Sequence, residues 1–259
     1  MTNYFLFKLI TCFSLIFSFS VLPAAEENFI ILDADTNEVV LELGPNICER
    51  ISPCSTFKIA LSLMGYDVGI LIDANRPSWD FQDGYDDFLE VWKYPQTPQS
   101  WMKYSCIWYS KVLVEEMGAD QVQLYLDLFG YGNRDISGGL TKAWVNSSLK
   151  ISPQEQADFI RKVFYERFLV SENSIQMTKE ILFQEELPEG WKLFGKTGWG
   201  GSVKETDDQN LEIAWFVGWI EKGDRMFPLA YNIRQERIDL SQRIPRVKEL
   251  IRQLKILSF

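Results

Sequence analysis

The sequence predicts an α+β protein in which both ends of the chain build an α/β part and the middle is helical. Three observations carry this reading. Strand-like apolar runs around polar turns sit at the two ends, segments with helical spacing fill the middle, and neither an internal repeat nor a low-complexity linker divides the 259 residues. One domain over residues 26–259 follows, with its α/β part in about residues 26–65 and 191–259 and its helical part in about residues 66–190.

Residues 1–25 read as a secretory signal that is removed. Lys8 precedes an apolar stretch from Leu9 to Leu22, and Pro23-Ala24-Ala25 precedes the acidic Glu26-Glu27. About 14 apolar residues interrupted by Thr and Ser are short for a bilayer that needs ~20, so a retained anchor is the alternative. No later segment is long and apolar enough to span a membrane. Residues 28–33 and 38–43 flank the polar turn Ala34-Asp35-Thr36-Asn37 and predict a first β-hairpin. Helical spacing follows at 110–116, 119–129, 152–167 and 174–183, several of these segments opening on Ser, Asp or Pro. A strand over 191–196 leads into a second hairpin, whose strands at 211–220 and 226–233 flank Glu221-Lys222-Gly223-Asp224. A last helix over about 245–257 puts Val247, Leu250, Ile251 and Leu254 on one face.

Composition excludes several kinds of chemistry. A net charge of -10, from 36 acidic and 26 basic residues, argues against a nucleic-acid partner, whose phosphates call for a basic face. The absence of histidine removes Ser-His-Asp and Cys-His catalysis, HExxH zinc sites and every imidazole base. Acid-base work must then fall to carboxylates, lysine, tyrosine or a modified side chain. Cys12 leaves with the signal. Cys48 and Cys54 are close enough in sequence for a small-loop disulfide or can remain two thiols, and Cys106 reads as a free, buried small hydrophobe.

Within Pro53-Cys54-Ser55-Thr56-Phe57-Lys58-Ile59-Ala60-Leu61, a helix entered at Ser55 would put Ser55 and Lys58 on one face, a nucleophile with its own base. The apolar neighbours of Lys58 would bury its ammonium, and desolvation lowers a lysine pKa until a neutral amine is accessible. By itself the pair is weak: average composition yields roughly one Ser-x-x-Lys in a chain of this length, and Ser55 could simply be a helix N-cap.

Three further strings turn the pair into a constellation: Ser105-Cys106-Ile107, Tyr131-Gly132-Asn133 and Lys196-Thr197-Gly198. In this order they resemble the signature of the penicillin-recognising serine enzymes. Ser-x-Ile followed by Tyr-Gly-Asn is similar to the class D, or oxacillinase-type, β-lactamases. The likeness extends through residues 55–67, 101–105, 139–144 and 149–153. It implies the β-lactamase and penicillin-binding transpeptidase-like fold, an antiparallel sheet flanked by N- and C-terminal helices beside an all-helical subdomain.

The resemblance also implies roles. Ser55 would attack the β-lactam carbonyl to form an acyl-enzyme that water hydrolyses. Lys58 would carry carbon dioxide as a covalent carbamate acting as general base, and no other cofactor and no metal would be needed. Trp144 would be the carbamate's indole N–H donor. Ile107 and Val145 would form apolar walls around it, with Ile107 in place of the commoner valine. Ser105 would relay a proton to the leaving nitrogen, Lys196 would supply positive potential at the substrate carboxylate, and the N–H groups of Ser55 and Trp199 would form the oxyanion hole. Thr197 and Gly198 complete the substrate-binding strand, while Trp101 and Met102 either line the cleft or belong to the core. The family's carboxylate-binding arginine has no clean counterpart, because a register on Ile244-Pro245 puts Ser241 at its position. Arg243 is taken for that role, with the Thr197 and Ser241 hydroxyls as the fallback.

The expected function is hydrolysis of penicillins and some cephalosporins by a periplasmic or secreted enzyme, monomer or homodimer, with no nucleic-acid partner and no membrane contact after signal removal. A penicillin-binding D,D-peptidase or a β-lactam sensor domain, acylated without rapid turnover, is the alternative.

Overall fold

The computed structural model describes residues 25–166, 170–204 and 210–254. Apart from Ala25, the expected signal segment lies outside the described residues, as do residues 255–257 of the expected last helix. Strands β1 (Glu26–Leu32), β2 (Val39–Leu43), β3 (Phe183–Glu186), β4 (Lys192–Lys204), β5 (Asn210–Lys222) and β6 (Arg225–Gln235) form one antiparallel sheet in the order β2-β1-β6-β5-β4-β3. Both expected hairpins are present, and β1 pairs with β6, so the two ends of the chain meet in the middle of the sheet.

Alternation along the strands explains the layers. Phe29, Ile31, Phe216, Leu229 and Tyr231 point to one face, where they pack on Val247, Leu250, Ile251 and Leu254 of α7 (Arg243–Arg252). Their neighbours Ile30, Leu32, Trp215, Val217 and Ala230 point to the other, into a larger core shared with the helices. At the centre of that core lies α1 (Lys58–Asp67), nine of whose ten residues are buried. A helix apolar all round must be enclosed on every side, and Lys58 is the one basic residue it carries inward.

The remaining helices are α2 (Pro98–Tyr104), α3 (Ile107–Met117), α4 (Ala119–Phe129), α5 (Pro153–Ile160) and α6 (Glu172–Leu182). Helix α2 was not expected from periodicity, being seven residues long. It is held by Thr97, whose hydroxyl accepts from the Ser100 N–H in a capping box with Pro98 at the first position. The helix expected over 152–167 is α only to Ile160 and continues as a wider π-type turn over Arg161–Glu166. Strand β4 runs eight residues beyond its expected end at Lys196, paired with β5 on one side. On the other side β3 accompanies it only as far as Phe194, and the edge from Gly195 onward has no strand partner among the described residues. Among the described residues, no helix is long and apolar enough to cross a membrane.

Candidate active site

Ser55 lies not in an α-helix but in the single 3-10 turn Cys54–Phe57 that feeds α1. Cys54, just before it, adopts a left-handed conformation with φ 50°. For a residue with a β-carbon this costs about 1–2 kcal/mol, borne by the surrounding packing. The turn is fixed by Thr56, whose N–H and hydroxyl both donate to the Pro53 carbonyl and whose Oγ1 accepts from Gln156 Nε2 at 3.0 Å. Of the two states left open for Cys48 and Cys54, the structure has free thiols, with Cys48 exposed and Cys54 buried. The Cys54 Sγ faces Ser52 and Asn146 instead, at 3.6–3.7 Å.

Lys58 Nζ donates to Ser55 Oγ at 3.3 Å, and the lysine side chain is fully buried. Burial pushes its pKa down from 10.5 to about 8, opposed in part by the Cys106 and Cys54 thiols and by Asp86. Both thiols are themselves pushed up to about 12 by burial, so at neutral pH they are uncharged and do not hold the ammonium. Asp86 is neutralised by Lys111 at 2.8 Å. The net pressure at Lys58 is therefore toward the neutral amine.

Opposite stands a second pair. Ser105 terminates α2 in the left-handed region, φ 58°, which turns its hydroxyl toward β4. Lys196 Nζ donates to Ser105 Oγ at 2.5 Å, to the Thr197 carbonyl at 3.0 Å and to Thr197 Oγ1 at 3.3 Å. Its pKa is held well below the ordinary lysine value by burial, then by the positive charges of Lys58 and Arg243.

Strand β4 reaches the nucleophile turn because it carries glycine there. A β-carbon on Gly198 would lie 3.1 Å from Thr56 Cγ2 and 3.2 Å from the Pro53 carbonyl oxygen. The loop with Trp144 is tied to the same turn: Ser52 Oγ donates to the Trp144 carbonyl at 2.8 Å and accepts the Asn146 N–H at 2.9 Å. Asn146 Nδ2 in turn donates to the Gly201 carbonyl on β4. The Trp144 ring is buried 5.4 Å from Phe57, in the nucleophile turn. Tyr131-Gly132-Asn133 forms the base of this loop. Asn133 Nδ2 donates to the Ser148 carbonyl, and its Oδ1 accepts the Lys150 N–H.

The expected site residues thus converge from five elements: Ser55 and Lys58, Ser105, Trp144, Lys196 with Thr197 and Gly198, and Arg243. Arg243, the first residue of α7, donates through Nη1 to the Gly198 carbonyl at 2.9 Å. Ser241 is exposed and bonded to Asp239. Of the two expected apolar walls, Ile107 is half-buried against the core, whereas Val145 is 40% exposed. Trp101 is a core residue, its indole donating to Ser110, while Met102 lines a cavity beside Lys196. Trp199 is 37% exposed, and its ring lies 6.1 Å from Phe88, an aromatic that is 71% exposed. Phe88, Ser52 and Asn146 carried no local signal in the sequence. Among the described residues no group of three or more metal-ligating side chains occurs.

A serine bonded to a buried lysine one turn later, faced by a second serine that accepts from the lysine of a Lys-Thr-Gly strand, defines the penicillin-recognising serine enzymes. Accordingly the family model "Penicillin binding protein transpeptidase domain" matches residues 29–252. Within that class the chain belongs to the class D β-lactamases. It is 38% identical over 199 residues to β-lactamase OXA-1 of Escherichia coli, covering 74% of this chain and 70% of the relative. Over 242 residues it is 35% identical to β-lactamase OXA-9 of Klebsiella pneumoniae, covering 88% and 86%. The crystal structure of OXA-427, a class D β-lactamase, superposes with a TM-score of 0.83 at 40% identity, over 89% of this chain and 99% of that one.

Proposed function

We propose that this chain hydrolyses β-lactams, penicillins and some cephalosporins, through an acyl-enzyme on Ser55. The observation that carries the reading is Lys58, fully buried, bonded to the Ser55 hydroxyl at 3.3 Å and pushed down to about 8. A lysine so placed spends an appreciable fraction of its time as a free amine, which can accept the serine proton and, unlike an ammonium, can combine with carbon dioxide.

The surroundings of Lys58 fit a carbamate: its neighbours are buried, its competing thiols are uncharged, and the Trp144 indole in the adjoining loop can donate but cannot accept. Such a group supplies a general base of carboxylate character in both half-reactions. The chain's own residues do the rest. Ser55 attacks the lactam carbonyl, whose oxygen gains negative charge and takes the backbone N–H groups of Ser55 and Trp199 as donors. Ser105, held by Lys196, passes a proton to the ring nitrogen as the amide bond breaks. Lys196, Thr197 and Arg243 receive the ring carboxylate, and Gly198 lets the substrate lie against the open edge of β4. Burial is the main cause of the depressed Lys196 pKa, and anionic character at Lys58 would turn the smaller contribution from Lys58 from repulsion into attraction, favouring the charged Lys196. Ile107, packed against the core, is the apolar wall on this side, whereas the exposed Val145 covers little. The signal-like residues 1–25 support placing this activity in the periplasm or the cell exterior.

The test is turnover of a chromogenic cephalosporin in degassed buffer and again with added bicarbonate. Multiple turnovers that rise with bicarbonate are expected. A single stoichiometric burst unaffected by bicarbonate would point to an acyl-enzyme trap and overturn the proposal.

A further inference from the structure

A cavity of about 290 Å³ opens beside the catalytic pair, where β3 leaves the edge of β4. Lys196 and Thr197 form one wall, Met102 and Lys103 at the end of α2 a second, and Glu180 and Phe183 at the end of α6 a third. Gln184 Nε2 closes the far end by donating to the Gly195 carbonyl at 2.9 Å. The cavity lies on the Gly195 side of Lys196. The nucleophile lies on the Gly198 side, where β4 touches Thr56.

We infer that this cavity is the subsite for the leaving-group side of the substrate and that it selects cephalosporins with a cationic substituent at C3. The inference rests on the β-lactamase reading and extends it. With the ring nitrogen at Ser105 and the carboxylate at Lys196 and Thr197, this cavity, which shares both carboxylate-binding residues, is the space next to the ring carbon that carries the C3 substituent. A volume of about 290 Å³ accepts a six-membered heteroaromatic ring on a methylene. The charges are arranged by sign. Glu180 sits in the last turn of α6, where the unpaired carbonyls of the helix end add negative potential. Lys196 and Lys103 stand across from it, and among the described residues neither Glu180 nor Lys103 makes a salt bridge. A zwitterion with its carboxylate at Lys196 and its cation at Glu180 is complementary to the first and third walls, and Lys103 on the second opposes the cation.

The experiment compares two cephalosporins that share one acylamino side chain, one with a pyridiniomethyl and one with an acetoxymethyl group at C3. The readout is the ratio of their kcat/KM values, with benzylpenicillin turnover measured alongside. Glu180→Gln is expected to lower the ratio (cationic over neutral) about two- to fivefold, the range of a partly exposed charge pair. Lys103→Gln is expected to raise it. Both positions are exposed, so the variants keep the fold. A ratio that neither variant moves, or a penicillinase that turns over neither cephalosporin, overturns the cavity assignment while leaving the β-lactamase reading intact. Hydrolysis of no β-lactam at all overturns both.

Discussion

Lys58 carries opposed demands. It must be buried to be reactive, and burial of an amine beside a hydroxyl stabilises neither the fold nor the charge. Lys58→Ala removes the base and leaves the nucleophile intact. Acylation should slow by at least about a hundredfold and deacylation almost cease, so that intact-mass spectrometry shows a persistent penicilloyl adduct. Unchanged turnover would remove lysine from the mechanism. Trp144 is separable from Lys58 because it contributes one donor. Trp144→Ala should lose activity in degassed buffer and regain part of it with bicarbonate, whereas full activity without bicarbonate would count against its role. Arg243 stands two positions from Ser241, where the register puts the family's arginine. Its guanidinium reaches Gly198 from the start of a helix, a direction that an alignment of short strings does not encode.

At the scale of elements, the site is a meeting of three short irregular segments on one rigid strand. The 3-10 turn of Ser55, the end of α2 at Ser105 and the loop of Trp144 are each too short to hold a shape alone. Ser52 joins two of them and also accepts, through its carbonyl, the Trp215 indole N–H of β5 at 2.9 Å. Replacing Ser52 by alanine leaves the Trp144 carbonyl without its partner in a buried setting and the Asn146 N–H without its partner in a partly buried one. A loss of about 1–3 kcal/mol is expected from urea unfolding, with a larger fall in kcat than in KM as Trp144 shifts. A stability loss with no kinetic effect would show that the loop does not position the site. Gly198→Ala tests the close approach of β4 to the nucleophile turn. With Thr56 Cγ2 at 3.1 Å and the Pro53 carbonyl oxygen at 3.2 Å from the added carbon, the strand must move outward and kcat/KM should fall at least about tenfold.

For the whole molecule, Lys58 makes stability depend on pH with a definite sign. Its pKa is about 8 in the fold against 10.5 for a free side chain, so between those values the unfolded chain binds more protons than the folded one. Stability therefore rises with pH from about 8 to 10.5, and below about 8 the full cost of the buried charge is present. That cost is of order 3 kcal/mol. In carbonate-free buffer at pH 7, Lys58→Met should melt higher than the parent and show a shallower rise between pH 8 and 10.5, what remains being due to the buried Lys196. An unchanged melting temperature and slope would mean that the lysine is hydrated in solution. Bicarbonate, by binding only the folded lysine, should raise the melting temperature of the parent and not of the variant.

Periodicity and turn residues in the sequence determined the sheet hairpins, most of the helices and the α+β class, because these depend on neighbours two to four residues apart. The four strings also located Ser55, Lys58, Ser105 and Lys196, since each lies in a short stretch whose order along the chain is itself informative. Beyond that reach the sequence was silent. The seven-residue α2 is set by the Thr97 cap rather than by a period, and the π-type turn after Ile160 has no local signature. The free Cys54 thiol follows from which way a strained turn faces. Only the tertiary structure decided that Ser52 and Asn146 tie the Trp144 loop to the nucleophile turn, that Arg243 reaches Gly198 and Phe88 the Trp199 ring, and that a charged cavity adjoins Lys196. All of them act across contacts between distant parts of the chain, and such contacts are fixed by how the sheet and helices pack rather than by spacing within any one segment.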